Sequence, residues 1–399
     1  MSSYKIYIPP TTLSTLKSRL ENAVFPDELD DSGWAYGAPL ADIKRLVARW
    51  RDGFDWRHEE QKLNAELPQF TRDIEVDGFG TLNIHYVHKK SEGGLGIPLL
   101  FVHGWPGSFL ESRKIILLLT AGSGDARLPV FDVVALSLPG FGFSEGPNKT
   151  GFSFTQYAEV SHKLMLALGY TEYVTQGGDW GASITKEIAR RYGGEHSKAW
   201  HINLILAGSP ETQDPSSYTA FEAIEKDGLA RFQEYKRSGN GYYRIQATKP
   251  QTLGYSLADS PVGLLAWIYE KLVIWTDAYP WTDDEVLTWV SIYWFSRAGP
   301  AASLRIYYEV EHAGQEVGST NFHIPTIPLG FSHFPKELGR IPKAWYHLIG
   351  NVVFEVEHDS GGHFAAHEKP ELLVGDLQKM FGKSGPAFGV VLGRNGYDG

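Results

Sequence analysis

The sequence predicts an α/β fold with a mostly parallel central sheet, a helical insertion near its second half and a helical strap at its N-terminus. Three observations lead there. Short apolar runs recur with helical segments between them: 97–103 (IPLLFVH), 130–140 (VFDVVALSLPG), 173–178 (YVTQGG), 199–206 (AWHINLIL), 324–332 (IPTIPLGFS) and 348–357 (LIGNVVFEVE). Apolar strands alternating with helices mark a parallel sheet covered on both faces. Between about residues 210 and 318 that alternation stops and the pattern turns helical and aromatic, as an inserted lid would. Before residue 75 strand alternation is missing.

Taken in order, the strap holds a helical stretch from Thr11 to Asn22, the turn-rich SGWAYGAP, a second helical pattern from Leu40 to Trp50, and FDWRHEEQKLNAELPQFT. Trp34, Trp50, Phe54 and Trp56 are poor solvent-facing residues, so the strap is expected to wrap the main domain rather than fold alone. From Phe70 to Val87 the residues alternate around Gly78 and Gly80, which reads as a hairpin. The division expected is a meander over 1–75, the first part of the core over 76–210, a lid over 211–318, the second part of the core over 319–384, and a tail, 385–399, to which no role is assigned.

Composition narrows the chemistry. The 399 residues are 42% apolar and carry a net charge of -10, which disfavours nucleic acid and anionic membrane as partners and favours a small molecule. There is no cysteine, so disulfides, thiolate catalysis and cysteine-ligated metals are excluded. Pro9 and Pro10 stand among polar residues where a signal or anchor would need an apolar run, so a soluble, cytoplasmic protein without a transmembrane anchor is expected. Whether it forms a homodimer is left open.

The segment QGGDWGA follows a β-prone run and opens a helix, the strand-turn-helix setting of a nucleophile elbow, with Asp179 where such turns usually carry serine. Read alone, it is equally a glycine-rich turn with a helix-capping aspartate. Other residues bear on the choice. HGWPG ends the 97–103 run and can aim the backbone N–H of Trp105 above the elbow; with the N–H of Trp180 that gives two oxyanion donors. His103, Gly104 and Pro106 support that loop from behind. Glu337, in FPKEL, follows the 324–332 run, and His363, in GGHFAA, follows the last. Nucleophile, acid, histidine is the chain order of the α/β-hydrolase fold. Glu355, Glu357 and Asp359 compete with Glu337, but lie on or beside the histidine's own strand; His358 and His367 are less well placed than His363.

An aspartate nucleophile suits a saturated carbon. Serine would leave an ether there, whereas a carboxylate leaves an ester that water, activated by a histidine, can cleave. An epoxide or an alkyl halide fits, and the two differ in the leaving atom: an alkoxide needs proton donors above the carbon, a halide only weak cradling. Tyrosine pairs at 242/243 and 307/308 fall in the lid region, though among twenty tyrosines bare pairs read more readily as packing.

FPDELDDSGWAYGAPL, FDWRHEEQKLNAELPQFT, HGWPGSFLES, QGGDWGA, GYYRIQATKPQTLGYSLADSPVGLLAWI, FPKEL and GGHFAA together resemble the epoxide hydrolase family, in its microsomal-type branch, from about residue 4 to 382. The resemblance implies Asp179 as nucleophile, His363 as base, Glu337 as its acid partner, Tyr242 and Tyr307 as donors to the epoxide oxygen, and the Trp105 and Trp180 N–H groups as oxyanion donors. It implies no cofactor and no metal, with water as co-substrate. Glu337 stands where some relatives carry aspartate, and no counterpart of the membrane-anchoring helix of mammalian relatives is expected. Haloalkane dehalogenase, which shares Asp-Trp-Gly, is the alternative enzyme, and a non-catalytic binding scaffold the alternative class.

Overall fold

The computed structural model describes residues 2–93, 95–121, 128–204, 222–313 and 324–397. Nine strands form one sheet: β1 (Ser2–Tyr4), β2 (Gln69–Val76), β3 (Gly80–Lys89), β4 (Ile97–Val102), β5 (Phe131–Leu136), β6 (Tyr173–Gly177), β7 (Ser197–Ile202), β8 (Pro328–His333) and β9 (Asn351–Glu357). Their order is β1-β2-β3-β5-β4-β6-β7-β8-β9. The pairs from β1 through β3 to β5 are antiparallel, and every pair from β5 to β9 is parallel. Every residue of β4, β5 and β6 is buried, which is why these strands read as unbroken apolar runs rather than alternating ones. The order reverses around β4, so the loops after β4 and β6 open side by side at the carboxyl end of the sheet, where ligands bind in such folds.

The strap departs from its sequence reading in two ways. It contributes strands after all: three-residue β1 pairs antiparallel with β2, whose first residue is Gln69. Three residues are too few to show alternation. Trp50 and Trp56 are buried and Phe54 is half-buried against the core, but Trp34 is 36% exposed, its ring tilted against Tyr269 at 5.7 Å. The segment around FDWRHEEQKL is a helix, Trp56–Glu66, started by Asp55, whose carboxylate accepts the His58 N–H.

Between β7 and β8 lie helices at Ala223–Glu234, Gly241–Thr248, Pro250–Asp259, Pro261–Ile274, Asp283–Trp294 and Arg305–His312. The expected limits of the lid, 211 and 318, lie outside the described residues. Residues 385–397 contain neither helix nor strand, in keeping with their lack of period, yet they are tied down: Arg394 donates to the buried Asp132 carboxylate at 2.6 Å, and the Val130 N–H donates to the Gly396 carbonyl at 2.9 Å. Among the described residues no helix is long and apolar enough to cross a membrane.

Candidate active site

Four loops at the carboxyl ends of parallel strands meet above the middle of the sheet. The tightest follows β6. Asp179 has φ 49° and ψ -129°, a left-handed conformation for a residue with a side chain, and the helix Trp180–Tyr192 starts immediately after it. Such backbone costs about 1–3 kcal/mol and persists only where the surroundings enforce it. They do so by closeness: a Cβ on Gly181 would stand 1.9 Å from the Val102 carbonyl oxygen, and one on Gly104 would stand 2.2 Å from Asp179 Oδ1. Glycine at these two positions lets the β4 and β6 loops touch.

The contact is a hydrogen bond. The Trp105 N–H donates to Asp179 Oδ1 at 2.7 Å. No bond from the Trp180 N–H to this carboxylate is present in the structure, although that N–H opens the helix beside it. The Trp105 loop is held from behind. His103 Nδ1 donates to the Gly104 carbonyl at 2.9 Å while Nε2 accepts the Leu138 N–H at 3.2 Å, so the ring is a neutral Nδ1–H tautomer. Burial pushes its pKa down to about 4, which agrees. Trp289 Nε1 donates to the Pro106 carbonyl and the Tyr293 hydroxyl to the Gly107 carbonyl, each at 2.5 Å. Both belong to one face of the helix Asp283–Trp294, and sequence reading had no reason to select them.

His363 and Glu337 complete the floor. His363 Nδ1 lies 2.6 Å from Glu337 Oε1 and Nε2 lies 3.3 Å from Asp179 Oδ2. The histidine's N–H donates to the Trp275 carbonyl at 2.8 Å, and the Trp275 indole packs edge-on to the imidazole at 4.9 Å. Burial alone would lower the imidazole pKa, but the Glu337 and Asp179 carboxylates outweigh it and hold it well above the usual histidine range. Two of the three competing acids are engaged elsewhere: Glu355 with His333 at 2.9 Å and Glu357 with Arg340 at 2.5 Å. His358 pairs with Asp376 and His367 with Glu285.

The roof is aromatic. Tyr242 stacks parallel on the Trp105 indole at 5.3 Å, and Tyr307 stands edge-on to Trp105 at 5.8 Å and to Trp180 at 4.7 Å. Burial drives both phenols well above their ordinary pKa, so both keep their protons. Their neighbours send their polar ends elsewhere, because successive residues on a helix are rotated by about 100°, although the Tyr243 ring still packs edge-on to Tyr307 at 5.3 Å. The Tyr243 hydroxyl donates to Glu311 at 2.8 Å, and Tyr308 stacks on His312 at 3.9 Å.

One acid went unnoticed in the sequence. Glu111 lies against the same loop, with its carboxyl where a Gly107 side chain would be. Burial, aided by the charges of Asp179 and Glu337 and opposed by His363, pushes its pKa up to about 8. Its signal was present, eight residues after His103, but a lone acid in the short 3-10 turn Phe109–Arg113 has no pattern. Among the described residues, no group of three or more His, Cys, Asp or Glu side chains could hold a metal ion.

A family profile described as "Epoxide hydrolase N terminus" matches residues 1–112, and one described as "alpha/beta hydrolase fold" matches residues 97–238. The chain is 35% identical to Epoxide hydrolase 1 of Sus scrofa over 416 residues, covering 95% of this chain and 88% of that protein. Its structure superposes on the epoxide hydrolase of Aspergillus niger with a TM-score of 0.81 at 35% identity, over 94% of each chain. It also matches the juvenile hormone epoxide hydrolase of Bombyx mori, with a TM-score of 0.84 at 29% identity, over 94% of this chain and 92% of that one. With the α/β-hydrolase fold and these relatives over nearly its whole length, this chain belongs to the epoxide hydrolase family.

Proposed function

We propose that this enzyme converts apolar epoxides to vicinal diols through a covalent ester on Asp179. The observation that carries the reading is the double engagement of one strained carboxylate: Oδ1 takes the Trp105 N–H at 2.7 Å while Oδ2 faces His363 at 3.3 Å.

In the first half-reaction an Asp179 oxygen attacks a ring carbon. The carbon–oxygen bond of the epoxide breaks and its electron pair goes to the ring oxygen, which takes a proton from Tyr242 or Tyr307. In the second, His363 takes a proton from water and the hydroxide adds to the ester carbonyl. The Trp105 N–H stabilises the resulting oxyanion. Collapse expels the alkoxide, which takes the proton held by His363 and completes the diol; the second water proton, left on the Asp179 carboxyl, passes to the phenolate and restores both groups.

The electrostatics of His363 suit both halves. In the free enzyme two carboxylates flank the imidazole and hold its proton. Esterification makes Asp179 neutral and removes one of them, so the imidazolium gives up its proton more readily when a base is required. Glu337 keeps the ring aligned through Nδ1. The aromatic walls, Trp105, Trp275 and the two tyrosines, favour an apolar substituent on the epoxide.

A single turnover of styrene oxide in ¹⁸O-water tests the scheme. Label is expected in the Asp179 carboxylate, read by peptide mass spectrometry, and not in the diol formed in that turnover. Label confined to the diol would mean that water attacks the epoxide directly.

A further inference from the structure

The Tyr242 hydroxyl lies 2.7 Å from the hydroxyl of Tyr235, a residue that no motif marks. Tyr235 is the first residue of a π-helical turn, Tyr235–Gly239, which continues directly from the helix Ala223–Glu234. A π turn adds one residue to the helical repeat, re-aims the side chains around it, and recurs at functional sites. Here the Tyr235 ring stacks on Phe232 at 6.2 Å and faces Tyr242 at 6.5 Å. On the far side of Tyr242, the Lys271 ammonium lies 4.7 Å from the ring centroid, with Glu270 as its carboxylate partner at 2.6 Å. Lys271 is 4% exposed, and burying an ammonium is costly unless something nearby gains from it. Tyr307 is closed in by the indoles of Trp105 and Trp180, and among the described residues no second hydroxyl lies at hydrogen-bonding distance from its own.

We propose that Tyr235 is a positioning residue of the ring-opening acid, donating its O–H to the Tyr242 oxygen so that the Tyr242 proton points at the epoxide. A phenol has one proton to give. In the pair either oxygen can donate, but once the epoxide oxygen engages the Tyr242 proton, only Tyr235 remains as donor. As the ring opens, that bond strengthens against the negative charge left on Tyr242, a hydrogen bond to a charged acceptor in a dry site. No proton leaves Tyr235. Its own pKa is pushed up to about 12, chiefly by burial, so it stays a donor at working pH. Lys271 adds to the same stabilisation through the ring face. The two roof tyrosines are therefore differently supported: Tyr242 is backed by a phenol, Tyr307 by the Trp180 indole. This inference rests on Tyr242 acting as a donor to the epoxide oxygen, as proposed above.

A double-mutant cycle tests it, with stopped-flow rates of alkylation and of ester hydrolysis for styrene oxide in Tyr235→Phe, Tyr242→Phe and the double variant. Tyr235→Phe is expected to slow alkylation at least about tenfold, the size of a lost hydrogen bond to a charged group. Ester hydrolysis should stay within about twofold, since no step of it calls on Tyr235 beyond returning the phenol's proton. In the Tyr242→Phe background the effect of Tyr235→Phe should vanish, and Tyr235→His, which restores a donor, should recover part of the rate. Overturning results are an unchanged alkylation rate in Tyr235→Phe, or an equal loss with and without Tyr242, which is the signature of packing alone. If Tyr242→Phe itself alkylates at the normal rate, the assignment of Tyr242 falls first and this inference with it.

Discussion

The floor of the site and its roof are built from different contacts. On the floor, Asp179, His363 and Glu337 meet through charged atoms at 2.6 and 3.3 Å, each at the end of a parallel strand. In the roof, Tyr242 and Tyr307 are placed by ring against ring, on Trp105 and Trp180, from helices of the insertion. A charged triad tolerates little displacement, because orientation at close range sets the chemistry. Ring packing holds a hydroxyl less strictly and leaves room for the shape of the ligand. The floor is therefore suited to fix the reaction, and the roof to fix which epoxide enters and how fast it opens.

That contrast can be broken most forcefully at His363. His363→Gln keeps the volume and removes the base, so the ester should form and persist while turnover falls on the order of 10⁴-fold or more. Intact-mass spectrometry should find an adduct of one substrate mass, and an enzyme without adduct would mean that the floor does not split its labour between Asp179 and His363.

A smaller effect, on stability, is expected from one added methyl. Gly181→Ala places a carbon 1.9 Å from the Val102 carbonyl oxygen, backbone against backbone, and should cost about 3 kcal/mol in urea unfolding. A loss below about 1 kcal/mol would show that the elbow yields as readily as the roof.

The least dramatic test sharpens the comparison through pH. Hydrolysis of the ester needs neutral imidazole, so its rate should rise with pH through the His363 pKa of the alkylated enzyme. Since esterification removes one of the two carboxylates that raise that pKa, this midpoint should fall below the His363 titration of the free enzyme followed by NMR. The roof phenols, held well above their ordinary range, should contribute no inflection near neutrality. Identical midpoints would remove Asp179 from the charge balance.

Much of the fold was open to reading because the parallel strands are buried on both sides and leave long apolar runs. The chain order of Asp179, Glu337 and His363 was legible for a related reason: each follows such a run, and parallel strands bring those ends together. What stayed hidden carries no period. β1 is three residues of edge strand. Trp289 and Tyr293 look like any amphipathic helix face until the Pro106 and Gly107 carbonyls are seen beneath them. Tyr235 owes its position to a π turn, a departure from the very repeat by which helices are recognised. Which of each tyrosine pair turns inward was likewise a matter of helix phase, which spacing alone leaves open.

The grip of Trp289 and Tyr293 on the Pro106–Gly107 loop reaches the surface of the molecule. Shifting the helix Asp283–Trp294 would pull on the backbone that carries the Trp105 N–H and loosen its bond to Asp179. Arg49 holds the same helix from outside through Asp284, with two bonds of 2.8 Å. This helix therefore couples the strap to the loop: a change at the exposed Arg49–Asp284 contact would reach the Trp105 N–H through Trp289 and Tyr293.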